Sequence, residues 1–151
     1  MAQLDKPVIL CVDDEKNILD TLSQQLEASF GQAYEVEACE GGDEAIELLA
    51  DMHAEGLQIA LIISDQIMPG MKGDEFLSYA HRMYPTAMTI MLTGQTTEDA
   101  LARSVNQANL FRFLNKPWSR LDLALAVEKA LEAWQQQAAA RQARMAADLL
   151  Q

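Results

Sequence analysis

The residues with chemistry to offer stand at the ends of apolar runs. Ile59-Ala60-Leu61-Ile62-Ile63 leads into Ser64-Asp65, and Pro7-Val8-Ile9-Leu10-Cys11-Val12 leads into Asp13-Asp14. An apolar run of this kind, bounded by a loop, reads as a strand buried on both faces, so each carboxylate sits where a strand leaves the core. If the two strands are parallel neighbours, three acidic groups share one crevice. At about 4 Å and an effective dielectric of about 20, each pair repels by about 4 kcal/mol, and a cluster that costly asks for a cation. All-oxygen ligation by few protein groups suits Mg²⁺, which keeps several waters and also binds phosphate oxygens.

Two more apolar runs end in polar residues. Thr86 to Leu92 stops at Thr93-Gly94, and Leu110-Phe111-Arg112-Phe113-Leu114 is closed by Asn115-Lys116-Pro117. Taken singly, each has an ordinary explanation: Asp13-Asp14 as a helix cap, Asp65 before Met-Pro-Gly as a turn residue, Lys-Pro as a loop dipeptide. Thr93-Gly94 alone carries almost no information. Their joint occurrence on successive strand ends requires all these explanations to hold at once.

The elements that must position these residues alternate along the chain. After Asp14, Ile18, Leu19, Leu22 and Leu26 recur at helical spacing through Phe30, with Gly31 as the stop. Tyr34 to Cys39 reads as a strand, and Gly41-Gly42-Asp43 opens a helix carrying Ala45, Ile46, Leu48 and Leu49. Beyond Asp65, Pro69-Gly70 and Gly73 punctuate a loop, and Asp74-Glu75 begin a helix to about Met83. Thr96-Thr97-Glu98-Asp99 offer cap and first-turn residues for a fourth helix to about Gln107. Five strands alternating with helices predict an α/β doubly wound parallel sheet, flavodoxin-like, with strand order 2-1-3-4-5. Ligands in such sheets collect at the carboxyl edge of the strands.

From Arg120 onward good helix formers continue without Gly or Pro through Gln151, predicting one extended C-terminal helix. Its first half can close the last face of the sheet. Val127, Leu131, Trp134, Ala138 and Met145 form a seam of alternating spacings, interrupted by Arg141, a weak two-strand coiled-coil pattern. We therefore divide the chain into a domain over 1–134 and a continuation over 135–151 that serves as linker or coiled-coil segment.

With Asp13-Asp14, Asp65, Thr93 and Lys116-Pro117 in order on four strand ends, the chain resembles the receiver domains of two-component response regulators from about Pro7 to Trp134. MPGMKG after Asp65 and FLNKPW at Phe113 to Trp118 fit that family's loops. The resemblance implies that Asp65 is the phosphoacceptor, taking a phosphoryl group from a sensor histidine kinase. It implies Mg²⁺ held by Asp14 and Asp65 directly, by Asp13 through water, and by the main-chain oxygen of Ile67. Lys116 would pair with Asp65 and then with the phosphoryl group, and Thr93 would donate its hydroxyl to another phosphoryl oxygen. Thr93 and Phe113 would form the switch, altering the face made by the fourth helix, fifth strand and last helix to control an output module. The domain is then a regulatory phosphoacceptor rather than an enzyme, accepting small phosphodonors and slowly dephosphorylating itself. Ile67, two residues past Asp65, cannot position a hydrolytic water, whereas Gln95, two past Thr93, could.

Composition narrows the alternatives. The net charge of −12 falls wholly before Ser119, because the last 33 residues carry four basic and four acidic side chains. An acidic body repels phosphate backbones, which argues against direct nucleic-acid binding. Cys11 and Cys39 are the two cysteines, too few for a disulfide framework, and read as buried reduced thiols. Residues 1–6 lack a signal-peptide pattern and no apolar run is long enough for a bilayer, so the expected location is the cytoplasm, with no membrane partner. Expected partners are a sensor histidine kinase, an output domain or protein reached through the C-terminal helix, and a second copy in a homodimer. A haloacid-dehalogenase-type phosphatase would place its nucleophile on the first strand with a second acid two residues on, whereas the acids here are adjacent. A Rossmann-like nucleotide site lacks its G-x-G-x-x-G, and a receiver that works without phosphorylation would not need the intact set of five residues.

Overall fold

The computed structural model describes residues 6–94 and 110–150. The elements are β1 (Val8–Val12), α1 (Lys16–Phe30), β2 (Glu35–Cys39), α2 (Gly42–Ala54), β3 (Ile59–Asp65), α3 (Gly73–Met83), β4 (Met88–Thr93), β5 (Arg112–Asn115) and the long terminal helix α4 (Arg120–Leu149). The five strands form one sheet in the order β2-β1-β3-β4-β5, and every pairing is parallel. This is the flavodoxin-like order expected from the sequence. The helix expected over 96–107 and the role assigned to Gln95 lie outside the described residues.

The three inner strands β1, β3 and β4 are buried at every position because they carry mostly apolar residues on both faces, whereas the edge strands β2 and β5 are buried only in part. Ile9, Cys11, Leu61, Ile63, Ile90 and Leu92 meet Leu19, Leu22 and Leu26 of α1 and Leu123, Val127 and Trp134 of α4. Leu10, Val12, Ile62 and Met91 face Ala45 and Leu49 of α2 and Phe76 and Leu77 of α3. The pairing of β1 with β3 slips by one residue near its start, where Val8 aligns with Ile59 but Ile9 with Leu61. The extra residue puts Ala60 and Leu61 in the same core and resets which face each later residue of β3 takes, down to Asp65.

Several boundaries differ from expectation. β5 begins at Arg112 rather than Leu110, although the Phe111 amide already donates to the Thr89 carbonyl at 2.9 Å. Gly31 ends α1 with φ −65°, so its role there is not a left-handed cap. Glu37 is half-buried on β2, and burial, then the charges of Glu35 and Glu27, push its carboxyl up. α4 starts under a Ser119 cap whose hydroxyl accepts from the Asp122 amide at 3.0 Å. Its packing against the sheet ends at Trp134, which is buried in the core. Gln135 adds a tie by donating to the Tyr34 hydroxyl at 2.6 Å, Arg141 is half-buried and lines a cavity with Leu57 and Tyr84, and Met145 and Leu149 beyond it are exposed.

Candidate functional site

Register brings the strand ends together. Val12 aligns with Ser64, Asp65 with Leu92, and Thr93 with Asn115, so Asp13, Asp65, Thr93 and Lys116 follow one another along the carboxyl edge of β1, β3, β4 and β5. Backbone bonds carry the alignment one residue past the strands: the Asp13 amide donates to the Cys39 carbonyl at 3.2 Å, and that of Lys116 to the Thr93 carbonyl at 2.8 Å. The peptide bond between Lys116 and Pro117 is cis.

Carboxylate oxygens of Asp13, Asp14 and Asp65 lie within 4.8 Å of one another. Asp13 is fully buried, and Asp65 is 4% exposed, while Asp14 is open to solvent. Asp13 is no helix cap. Its Oδ1 accepts from the Glu15 amide at 2.9 Å, a local turn that holds the carboxylate at the corner, and Glu15 occupies the cap position of α1.

Lys116 is the cation of the crevice. Its Nζ lies 2.9 Å from Asp13 Oδ2, 3.1 Å from Asp65 Oδ1 and 3.8 Å from Glu15 Oε1. Burial alone would pull the ammonium down, but the hydrogen bonds and charges of Asp13 and Asp65 outweigh it and hold Lys116 above its ordinary pKa. Burial pushes the Asp65 carboxyl up, and the charges of Asp13 and Asp14 add to this, against the opposing pull of Lys116. Among the described residues the Lys116 ammonium thus lies within 4 Å of three carboxylates, Asp13, Asp65 and Glu15, and Asp14 adds a fourth negative charge to the cluster. Asp13 Oδ2 is sealed from solvent, and the Lys116 ammonium at 2.9 Å is its charged neighbour. A crowded set of hard carboxylate oxygens, with more negative charge than one ammonium offsets, fits a divalent cation such as Mg²⁺.

The remaining expected residues surround this centre. The Thr93 hydroxyl is buried at the edge of β4 and donates to Asn115 Oδ1 at 3.1 Å. Phe113 is half-buried and packs on the α2–α3 side of the sheet, beside Met91 in register. Ile67 is 60% exposed, so its side chain lies over the loop surface rather than in the core. Met68 is buried, and Met71 rests against Gly42, where a Cβ would lie 3.0 Å from its sulfur.

Sequence reasoning did not foresee Asn115 as the partner of Thr93, Glu15 as a third carboxylate near Lys116, or the bonds between Gln66 and Asp74. The first was available from register, since Thr93 and Asn115 end adjacent strands. The two histidines, His53 and His81, lie near the C-terminal ends of α2 and α3, away from this edge.

The chain matches the response regulator receiver domain model over residues 9–128. It belongs to that family. Similar solved structures include the signal receiver domain of an HD domain-containing protein from Pseudomonas fluorescens, 32% identical with TM-score 0.77, covering 87% of this chain and 98% of that one. A CheY-like receiver domain protein from Methanospirillum hungatei is 29% identical, with TM-score 0.77 over 88% of this chain and 99% of that one. Among curated proteins, the hydrogenase transcriptional regulatory protein HoxA of Cupriavidus necator is 32% identical over 83% of this chain but 24% of its own length. The sensor kinase CckA of Brucella abortus is 31% identical over 82% of this chain and 12% of that protein. This receiver domain thus spans a quarter or less of these curated relatives. No helix among the described residues is long and apolar enough to cross a membrane.

Proposed function

We propose that this receiver domain is a Mg²⁺-dependent phosphoacceptor switch in which Asp65 takes the phosphoryl group of a phosphohistidine on a sensor histidine kinase. The observation that carries the reading is the convergence of Asp13, Asp14 and Asp65 within 4.8 Å, with the Lys116 ammonium 3.1 Å from Asp65 Oδ1. In the transfer an Asp65 carboxylate oxygen attacks phosphorus, the P–N bond breaks, and its electron pair leaves on the imidazole nitrogen. The product is a mixed anhydride whose free energy can drive a change of shape. Asp14 and Asp65 would hold Mg²⁺ directly, Asp13 through water, and the main-chain oxygen of Ile67 would complete the protein ligands. When bound, Mg²⁺ neutralises charge that builds on the phosphoryl oxygens.

Lys116 keeps one Asp65 oxygen oriented before transfer and follows the negative charge onto the phosphoryl group afterwards. The Thr93 hydroxyl leaves Asn115 to donate to a phosphoryl oxygen, and Phe113 turns into the space it vacates. That movement alters the face made by β5 and α4, which controls an output module in the cytoplasm. Small phosphodonors serve in place of the kinase, and self-dephosphorylation is slow because Ile67 offers no group to hold water.

We place the receiver at 1–134 and assign 135–151 to a helical linker toward an output domain or partner, or to pairing with a second copy. Light scattering with and without beryllofluoride and Mg²⁺ checks the pairing, and an identical mass in both states refutes it. The central test is intact mass after acetyl phosphate with Mg²⁺. The wild-type chain gains one phosphoryl group and Asp65→Asn gains none; equal labelling of both overturns the assignment.

A further inference from the structure

The loop joining β3 to α3 is closed by a buried polar pair that the phosphoacceptor reading leaves unused. Gln66, the residue after Asp65, is 2% exposed, and Asp74, in the first turn of α3, is 5% exposed. The Gln66 side chain and Asp74 form a two-bond ring: Nε2 donates to Asp74 Oδ1 at 2.9 Å, and the Asp74 amide donates to Gln66 Oε1 at 2.8 Å. A third bond runs from the Gly73 amide to the Gln66 carbonyl at 2.9 Å. Gly73 also approaches the Asp65 carbonyl so closely that a Cβ there would lie 2.1 Å from it.

Buried polar groups cost stability unless every partner is present, and an apolar pair of similar volume would hold the loop ends together as well. What an amide–carboxylate ring adds is direction, since two bonds in fixed geometry set an angle as well as a distance. The chain so aligned starts beside Asp65 and runs at once into Ile67. Met68 and Met71 anchor the rest of the loop in the α2–α3 core and on Gly42. Asp74 also lies in the first turn of α3, where negative charge is favoured by the amides of the helix start.

We infer that Gln66 is a positioning residue for the metal centre: through its ring with Asp74 it orients the Ile67 main-chain carbonyl and the Asp65 backbone toward the divalent cation. The inference rests on the metal reading proposed above. Partners one step behind a ligand alter metal affinity by about 10- to 100-fold when removed.

The test is calorimetric titration of the full chain with Mg²⁺ alone, with no phosphodonor present. Gln66→Met removes both side-chain bonds at similar volume and should weaken Mg²⁺ binding about tenfold while the chain still melts cooperatively. The exchanged pair Gln66→Glu with Asp74→Asn swaps donor and acceptor and should recover most of the lost affinity. Unchanged affinity in Gln66→Met, or a loss that the exchanged pair fails to recover, overturns the inference. Should Gln66→Met fail to fold, amide hydrogen exchange in the wild-type chain decides. Protection of Gly73 and Asp74 comparable to β3 supports the ring, and exchange as fast as an open loop overturns it. Failure of the wild-type chain to bind Mg²⁺, or binding that survives Asp13→Asn combined with Asp65→Asn, overturns the metal centre itself.

Discussion

Lys116 Nζ stands 3.1 Å from Asp65 Oδ1, making the resting partner of the expected phosphoacceptor the same group that neutralises Asp13. Removing one member of a buried charge pair leaves the others uncompensated, which costs about 3–5 kcal/mol. Lys116→Met should therefore lower the stability of the chain in EDTA by about that amount, with much of the loss restored by Mg²⁺. Urea denaturation with and without the metal measures both effects, and equal stability of the two proteins in EDTA would remove Lys116 from the centre.

The raised Asp65 carboxyl makes a prediction about pH whose sign is fixed by linkage. Burial first, then Asp13 and Asp14, lift its pKa above the ordinary 3.8, so the folded chain holds this proton more tightly than the unfolded chain. Metal-free stability must then fall as pH rises through the window above that value, and Glu37, lifted by burial and by its acidic neighbours, adds in the same direction. Mg²⁺ prefers the ionised form, so the rise in Tm it produces should be largest at neutral pH and shrink as the solution is acidified. Asp65→Asn should raise the metal-free Tm at pH 7 and flatten its pH dependence. A Tm gain from Mg²⁺ that does not change with pH would contradict this account.

The Thr93 hydroxyl is already engaged, at 3.1 Å from Asn115 Oδ1, so the proposed switch exchanges one acceptor for another. A hydrogen bond of this kind contributes about 0.5–1.5 kcal/mol. Asn115→Ala should cost no more than that in stability while tightening beryllofluoride binding, because the hydroxyl no longer has to leave a partner. Thr93→Ala should weaken beryllofluoride binding instead. Parallel titrations of the two variants check the opposition, and a shift of the same sign in both would remove the exchange.

How much of this was legible in the sequence depends on the range of the interaction. Asp13, Asp65, Thr93 and Lys116 could be placed because each ends an apolar run, and parallel strands put such ends on one edge. The order of the sheet followed from the alternation of strands and helices. Glu15 and the Gln66–Asp74 ring were not legible, because each depends on side-chain directions rather than on spacing along one element, whereas Asn115 could have been paired with Thr93 from the two strand ends. The slip at Ala60 left no mark either: Ile59 to Ile63 is apolar throughout, so no periodicity registers the extra residue. The partial burial of Glu37 is not legible either, because β2 is an edge strand whose alternation suggests exposure although Glu35 and Glu27 crowd the same surface.

Two glycines separate close approach from simple turn chemistry. A Cβ on Gly73 would lie 2.1 Å from the Asp65 carbonyl oxygen, against backbone that cannot give way without moving β3. Gly41 has nothing within 4 Å of that position and an extended φ of −169°, which any residue adopts. Gly73→Ala should cost about 1–3 kcal/mol or more, the scale of overpacked sites, and should also disturb the proposed metal centre. Gly41→Ala should be neutral or stabilise by about 0.4–1 kcal/mol through the unfolded chain. Thermal melts of the two variants decide, and equal losses would place the constraint in the helix starts rather than at Asp65.

The two cysteines provide a test of the sheet itself. Burial, then the neighbouring Cys39, pushes the Cys11 thiol far above its ordinary value, and burial, then Glu44 and Glu37, pushes Cys39 up to about 12. The reactive thiolate is therefore scarce in the folded chain at pH 8, and both sulfurs are shielded within the core on opposite faces of the sheet. Neither should react with Ellman's reagent until the chain unfolds, and both should then react together. Because Cys11 lies on the inner strand β1 and Cys39 ends the edge strand β2, fraying of that edge would expose Cys39 alone. Titration in increasing urea separates the cases: one cooperative release of two thiols is expected, and early release of one thiol would show that β2 opens independently of the strands that carry Asp13 and Asp65.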